Sequence, residues 1–202
     1  MRFLSAACLL ALTGSVALAQ TSPIDVETER YLSCLERVET NHEAAFEDAL
    51  SWRMEGGGWP AAHCEARALI ALGDPANGAA MLEQLASVES NSPNAAIRVA
   101  MRVEAGQAWL TIGRTDEAGR AFSSALELAP LDAPALLGRA ETSLALGEWD
   151  AAVDAATAVT AQAPGLADGW RLRALARLES GALAAARQDM ETAREIEPEN
   201  IN

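Results

Sequence analysis

The stretch LELAPLDAPALLGRAETSLALGEWDAAV, Leu126–Val153, decides the fold. It sets Pro130 ahead of an Ala- and Leu-rich run, Gly147 in mid-course, and a second Ala-rich run behind it. The same plan returns in TAQAPGLADGWRLRALARLESGALAAA around Pro164, and REIEPEN closes on Pro198, so proline recurs every 34 residues. With the prolines aligned, units begin at Val99, Ala133 and Ala167. Small residues fall at the eighth position (Gly106, Ala140, Ala174) and glycine at the fifteenth (Gly113, Gly147, Gly181). Alanine holds the twentieth (Ala118, Ala152, Ala186), and Phe122, Ala156 and Met190 share the twenty-fourth. A period of this size marks stacked supersecondary units.

Each recurring position has a physical reason. Apolar residues at helical spacing give two amphipathic helices per unit, joined along an Ala-rich seam. The mid-repeat glycine takes the turn, where a positive φ costs little only without a Cβ. The small residues at positions eight and twenty sit where two helix backbones come closest. The terminal proline lacks an N–H and biases the residue before it out of the helical region, so it ends the second helix. No β signal interrupts the pattern, and an array of this kind buries each unit only against its neighbours.

On Trp170, Ala174, Gly181, Ala186, Met190, Ala193 and Pro198 the last unit resembles the tetratricopeptide repeat, in the form of an exported bacterial protein. The resemblance is strong from Val99 to Asn200 and extends upstream from Trp59 through Ala66, Gly73, Leu82 and Leu85, with Ser90 in the proline's place and Gly78 at position twenty. A further unit, Asp25–Gly58, is degenerate: Ala44 fits position twenty, but Glu39 stands where the turn glycine belongs. Six extra residues, Pro93–Arg98, read as a longer start to the next helix with Ser92 as its cap. The expected organisation is a leader at 1–19, a degenerate helix pair at 20–58, a repeat-like unit with extension at 59–98, and three regular units at 99–202. The resemblance implies an all-α, right-handed solenoid of about five antiparallel helix pairs with a concave groove. It also implies an adaptor that binds proteins and is not an enzyme.

The first residues, MRFLSAACLLALTGSVALAQ, have one basic residue, an apolar run and Ala17-Leu18-Ala19. That is the layout of a secretory signal cut after Ala19. A membrane anchor needs about 20 apolar residues, and Thr13, Gly14 and Ser15 interrupt this run too early. Lipidation at Cys8 would want leucine where Ser5 stands. A periplasmic or secreted protein is therefore expected. Net charge is −14 and every basic residue is Arg. Such a surface repels phosphate backbones and anionic headgroups, which argues against nucleic acid and for a partner with a basic patch. Two cysteines remain after the cut, Cys34 and Cys64, and a lone pair in an oxidising compartment reads as a disulfide. Its loop of about 30 residues would contribute roughly 3 to 4 kcal/mol in the chain-entropy model.

Chemistry finds little support. His63 beside Cys64 invites a metal or redox reading, yet the chain has no CxxC, no HExxH and no CxxCH haem attachment. Neither a G-x-S-x-G elbow nor a phosphate-binding loop occurs; Gly56-Gly57-Gly58 has no Lys and Ser/Thr after it and reads as a turn between helix pairs. Trp109 and Trp170 fall on inward repeat positions, and Trp52 and Trp59 flank the glycine triplet as packing groups. No cofactor and no metal are expected.

The groove of the repeat comes from positions two, five, nine, twelve and thirteen of each first helix. That selects His63, Arg67 and Ile70, then Val103 and Gln107, with Glu104 one place beyond a groove position. It continues with Leu137, Glu141 and Leu144, then Arg171, Leu175 and Leu178. Repeats that clamp a C-terminal carboxylate use Lys and Asn at such places, and this chain has neither at those positions. A mixed apolar and charged groove suits an amphipathic helix or an extended segment. The leading expectation is a periplasmic adaptor for another exported or envelope protein. Two rivals stand beside it: a redox or metal protein using Cys34, Cys64 and His63, and a holdase of low selectivity. The chain ends soon after Pro198, so the helix near Ala182–Ile196 must shield its own open side. Its apolar groups are expected to point back into the last unit, favouring a monomer over an end-to-end dimer.

Overall fold

The computed structural model describes residues 23–87 and 94–198. The leader at 1–19, its cut after Ala19, Ser90 and Ser92 lie outside them. Gly73, Gly113, Gly147 and Gly181 each carry a positive φ, between 71° and 89°. At each of these four places one helix ends and the next starts antiparallel to it. At Gly147 the left-handed residue is the C-cap itself, and its N–H returns to Leu144 O.

Ten helices result among the described residues: α1 Pro23–Thr40, α2 His42–Met54, α3 Gly58–Ala71, α4 Pro75–Ser87, α5 Ala95–Thr111, α6 Thr115–Leu128, α7 Ala133–Leu146, α8 Trp149–Gln162, α9 Ala167–Glu179 and α10 Leu183–Ile196. Helices α6, α8 and α10 stop two residues short of Pro130, Pro164 and Pro198. The architecture is an all-α solenoid. The longer helix expected after Pro93 is α5, but the residue that caps it is Asn94, whose side chain accepts from the Ile97 N–H at 3.1 Å.

Consecutive helices pack along the whole stack. Odd-numbered helices also pack on one another: α1 on α3, α5 on α7, α7 on α9. Among the described residues, no two even-numbered helices meet to that extent. Closer spacing on the odd side bends the stack, so α1, α3, α5, α7 and α9 form its inner, concave face.

The seam is as small as the spacing requires. Ala118, Ala152 and Ala186 are all buried at position twenty. At the equivalent Gly78 a Cβ would lie 2.6 Å from Ala66 O, so α3 and α4 approach more closely than alanine permits. The first pair departs from the expected alignment. Ala45, Ala49 and Trp52 are the buried residues of α2, not Ala44. Helix α1 runs on to Thr40 and Asn41 alone joins it to α2, where later pairs use two or three residues, so α2 starts one residue later in its unit than α4 does.

Two tryptophans take the packing roles expected of them: Trp52 and Trp109 are buried. Trp170 is only half-buried; its indole N–H donates to Pro164 O at 2.9 Å and Arg173 lies over its ring. On α10 the small residues Ala186 and Ala193 point inward. Leu183 and Met190 do not, at 63% and 44% exposed, against the expectation that α10 would turn its apolar groups back. Phe122 and Ala156, at the position of Met190, are buried because a following unit covers them.

Candidate functional site

The concave face has two halves of different chemistry. In the N-terminal half, α1, α3 and α5 surround an open hollow of about 430 Å³. Val38, Ile70 and Ala108 give it apolar walls, while Glu39, Arg67, Glu104 and Gln107 give it polar ones. Arg67 donates to Glu39 Oε1 at 3.0 Å and stands 3.9 Å from Glu104 Oε2, which spans the three helices with one guanidinium.

Beside the hollow runs a chain of hydrogen bonds. His63 Nε2 lies 3.1 Å from Glu104 Oε2, and its Nδ1 lies 2.6 Å from the Tyr31 hydroxyl. A carboxylate only accepts, so Nε2 carries the hydrogen in the contact with Glu104. Burial, and then the negative charge of Glu104, push the Tyr31 hydroxyl up to about 12. Trp59 packs edge-on against the Tyr31 ring, with centroids 5.5 Å apart. This network pins the first helix pair to the second and third. Cys34 and Cys64 add to it from below, with Cα atoms 6.2 Å apart and both residues fully buried.

In the C-terminal half, α7 and α9 carry Leu137, Leu144, Leu175 and Leu178. Leu175 and Leu178 are exposed, and Leu137 and Leu144 are half-buried. Arg171 is held by Asp168 and, at 3.1 Å, by Glu197. Glu141 is exposed on α7; partial desolvation, and then Asp168, raise its carboxyl above its ordinary range.

The residues selected from sequence thus take different places. Arg67, Ile70 and Gln107 line the hollow. His63 and Val103, at 5% and 7% exposed, lie beneath the surface. Leu137, Glu141, Leu144, Arg171, Leu175 and Leu178 lie on the other half of the same face. Tyr31, Val38 and Glu39 were not selected, because the degenerate first unit offers no reliable alignment. Glu104 sat one place off a groove position and joins the hollow all the same. The redox or metal reading of Cys34, Cys64 and His63 gains no support. His63 is engaged by Tyr31 and Glu104, and among the described residues no group of three or more His, Cys, Asp or Glu is placed to hold a metal ion.

Comparisons with known proteins agree with this geometry. Two family models, each described as tetratricopeptide repeat, match residues 65–133 and 112–176. Among solved structures, the chain is similar to MamA, with 18% identity, 85% of this chain and 92% of that one covered, and a TM-score of 0.69. It is similar to YrrB, described as "a TPR protein with an unusual peptide-binding site", at 17% identity, 89% of each chain and a TM-score of 0.66. The first such domain of Spaghetti (RPAP3), bound to the HSP90 peptide SRMEEVD, is 22% identical over 51% of this chain and 82% of that one, with a TM-score of 0.50. At these identities the likeness is one of fold. No curated protein matches the sequence.

Proposed function

The chain belongs to the tetratricopeptide repeat family, and from that premise we propose that it is a periplasmic adaptor holding another exported or envelope protein in its concave face. The observation that carries this reading is the concave face itself. A hollow of about 430 Å³ and a neighbouring strip of exposed leucines lie on the same side of the stack. Leu175 and Leu178 stay in solvent on an inner helix, where the fold gives them nothing to cover. Apolar side chains placed so, beside fixed charges, suit a helix or extended segment of a partner. YrrB and the RPAP3 domain, whose descriptions name a peptide-binding site and a bound peptide, lend the reading support. The periplasmic part rests on the leader-like residues 1–19 and on the pairing of Cys34 with Cys64.

Affinity capture from a periplasmic extract tests it. The wild-type chain should retain a discrete partner, and Leu175→Glu with Leu178→Glu should lose that partner while keeping its helical circular-dichroism spectrum. Retention that ignores the double substitution, or a broad collection of unfolded proteins, would remove the reading. The proposed working unit is the single chain. Light scattering at micromolar concentration measures this, and a dimer abolished by Met190→Glu would show end-to-end packing instead.

A further inference from the structure

We propose that the cleft between α6 and α8 binds a small organic acid, a carboxylate on a short apolar stem, with Arg139 of α7 as the group that meets the carboxylate. The site lies on the outer side of the stack and stands apart from the adaptor reading. Even-numbered helices keep their distance there, and an odd-numbered helix floors each gap between them. Two successive gaps can be compared residue by residue, because equivalent positions are 34 apart. In the gap between α8 and α10, Arg173 on the floor donates to Asp189 at 2.7 and 2.9 Å and to Thr160 at 2.9 Å. In the gap between α6 and α8 the guanidinium is kept as Arg139, but Ala155 stands where Asp189 does and Leu126 where Thr160 does.

Arg139 is therefore a half-buried cation without the carboxylate that its equivalent has. Acids outnumber arginines 29 to 15 in the chain, yet among the described residues none forms an ion pair with Arg139. Its guanidinium makes one long hydrogen bond, 3.4 Å, to the Ser123 hydroxyl. Asp154 lines the same hollow but is exposed and does not pair with it. The exchange of aspartate for alanine leaves room as well as charge, for a hollow of about 290 Å³ opens beside Arg139 and Ala155. Leu126, Leu136, Ala151 and Ala158 wall it. Ligand clefts run from about 300 to 1,000 Å³, so this one suits a carboxylate with only a few carbons. A guanidinium partly removed from water gains from a carboxylate, which it can hold by two parallel hydrogen bonds. A neutral ligand of the same shape brings no charge and a cation is repelled, so the site selects an anion.

Butyrate is the probe and butyramide, its neutral isostere, the control, each titrated against the whole chain at fixed ionic strength. Nuclear magnetic resonance follows the Arg139 Nε–H signal, assigned by its absence in Arg139→Gln. Butyrate should shift this signal saturably, with a Kd of about 1 to 10 mM, and butyramide should leave it in place. Ala155→Asp supplies a carboxylate from within. It should abolish the butyrate shift and raise the melting temperature by about 2 to 4 °C. Equal shifts from butyrate and butyramide, or a shift that grows with concentration and never saturates, would overturn the proposal. So would an Ala155→Asp chain that still binds butyrate, or one that melts no higher than wild type.

Discussion

Phe122 stands with its ring against both Gly106 and Gly138: a Cβ on Gly106 would lie 2.7 Å from the ring, and one on Gly138 closer still. Three consecutive helices, α5, α6 and α7, thus share one buried aromatic that two glycines make room for. By helix propensity alone Gly138→Ala would stabilise, by about 1 kcal/mol. Overpacking against a buried ring costs about 1 to 3 kcal/mol and should win. Urea unfolding should show Gly138→Ala less stable than wild type. Combining it with Phe122→Ala should then cost less than the sum of the two single changes. A stabilised Gly138→Ala would mean that the close contact is absent.

Cys34 on α1 and Cys64 on α3 have the Cα separation of a bonded pair, 6.2 Å. Mass spectra of protein from an oxidising compartment, taken without reductant, should show no free thiol on either residue. Cys34→Ser should lower stability by about 2 to 4 kcal/mol. Two alkylatable thiols in the untreated protein would end this expectation.

Asp189 is 2% exposed and accepts from both Arg173, at 2.7 and 2.9 Å, and Arg177, at 2.6 Å. Arg173 also donates to Thr160 at 2.9 Å, which ties α8, α9 and α10 together. Asp189→Ala strands two guanidinium groups and should cost about 3 to 5 kcal/mol. Replacing all three charged residues by apolar ones of similar volume should cost far less, since it also removes their desolvation. Calorimetric melting of the two variants checks this, and equal losses would argue against an ionic core.

Tyr31 is the one tyrosine of the chain, so phenolate absorbance reports it alone. In the folded protein its midpoint should lie at about 12, against 10.0 for a free phenol, because burial and then Glu104 disfavour the anion. A raised folded value means that the proton favours the folded state. The contribution is whole below pH 10 and is lost as pH climbs through about 12. Denaturant should return the midpoint to the free value. A folded-state midpoint near 10 would place Tyr31 in solvent and break the chain of bonds through His63.

The helices were legible because their signals are local. Gly147 needs a backbone that other residues resist, and Pro164 stops α8 whatever lies around it. Position twenty was legible for the same reason, and Gly78 belongs there because α4 touches the Ala66 backbone. The first pair was harder, since its one-residue link at Asn41 leaves no glycine to count from. The hydrogen-bonded chain Tyr31–His63–Glu104 could not be read, because its members come from three helices and no fixed spacing relates them. The ionic core was hidden likewise: Arg173, Arg177 and Asp189 look like solvated helix charges until α9 and α10 meet.

The most direct test of partner binding through the concave face is site-specific photo-crosslinking in living cells. A photoreactive residue replaces Leu175 on the inner helix α9 or, as the control, the exposed Arg120 on α6. Partner binding through the concave face predicts an adduct of one discrete mass from position 175 and none from position 120. The same adduct from both positions, or adducts from position 120 alone, would contradict it.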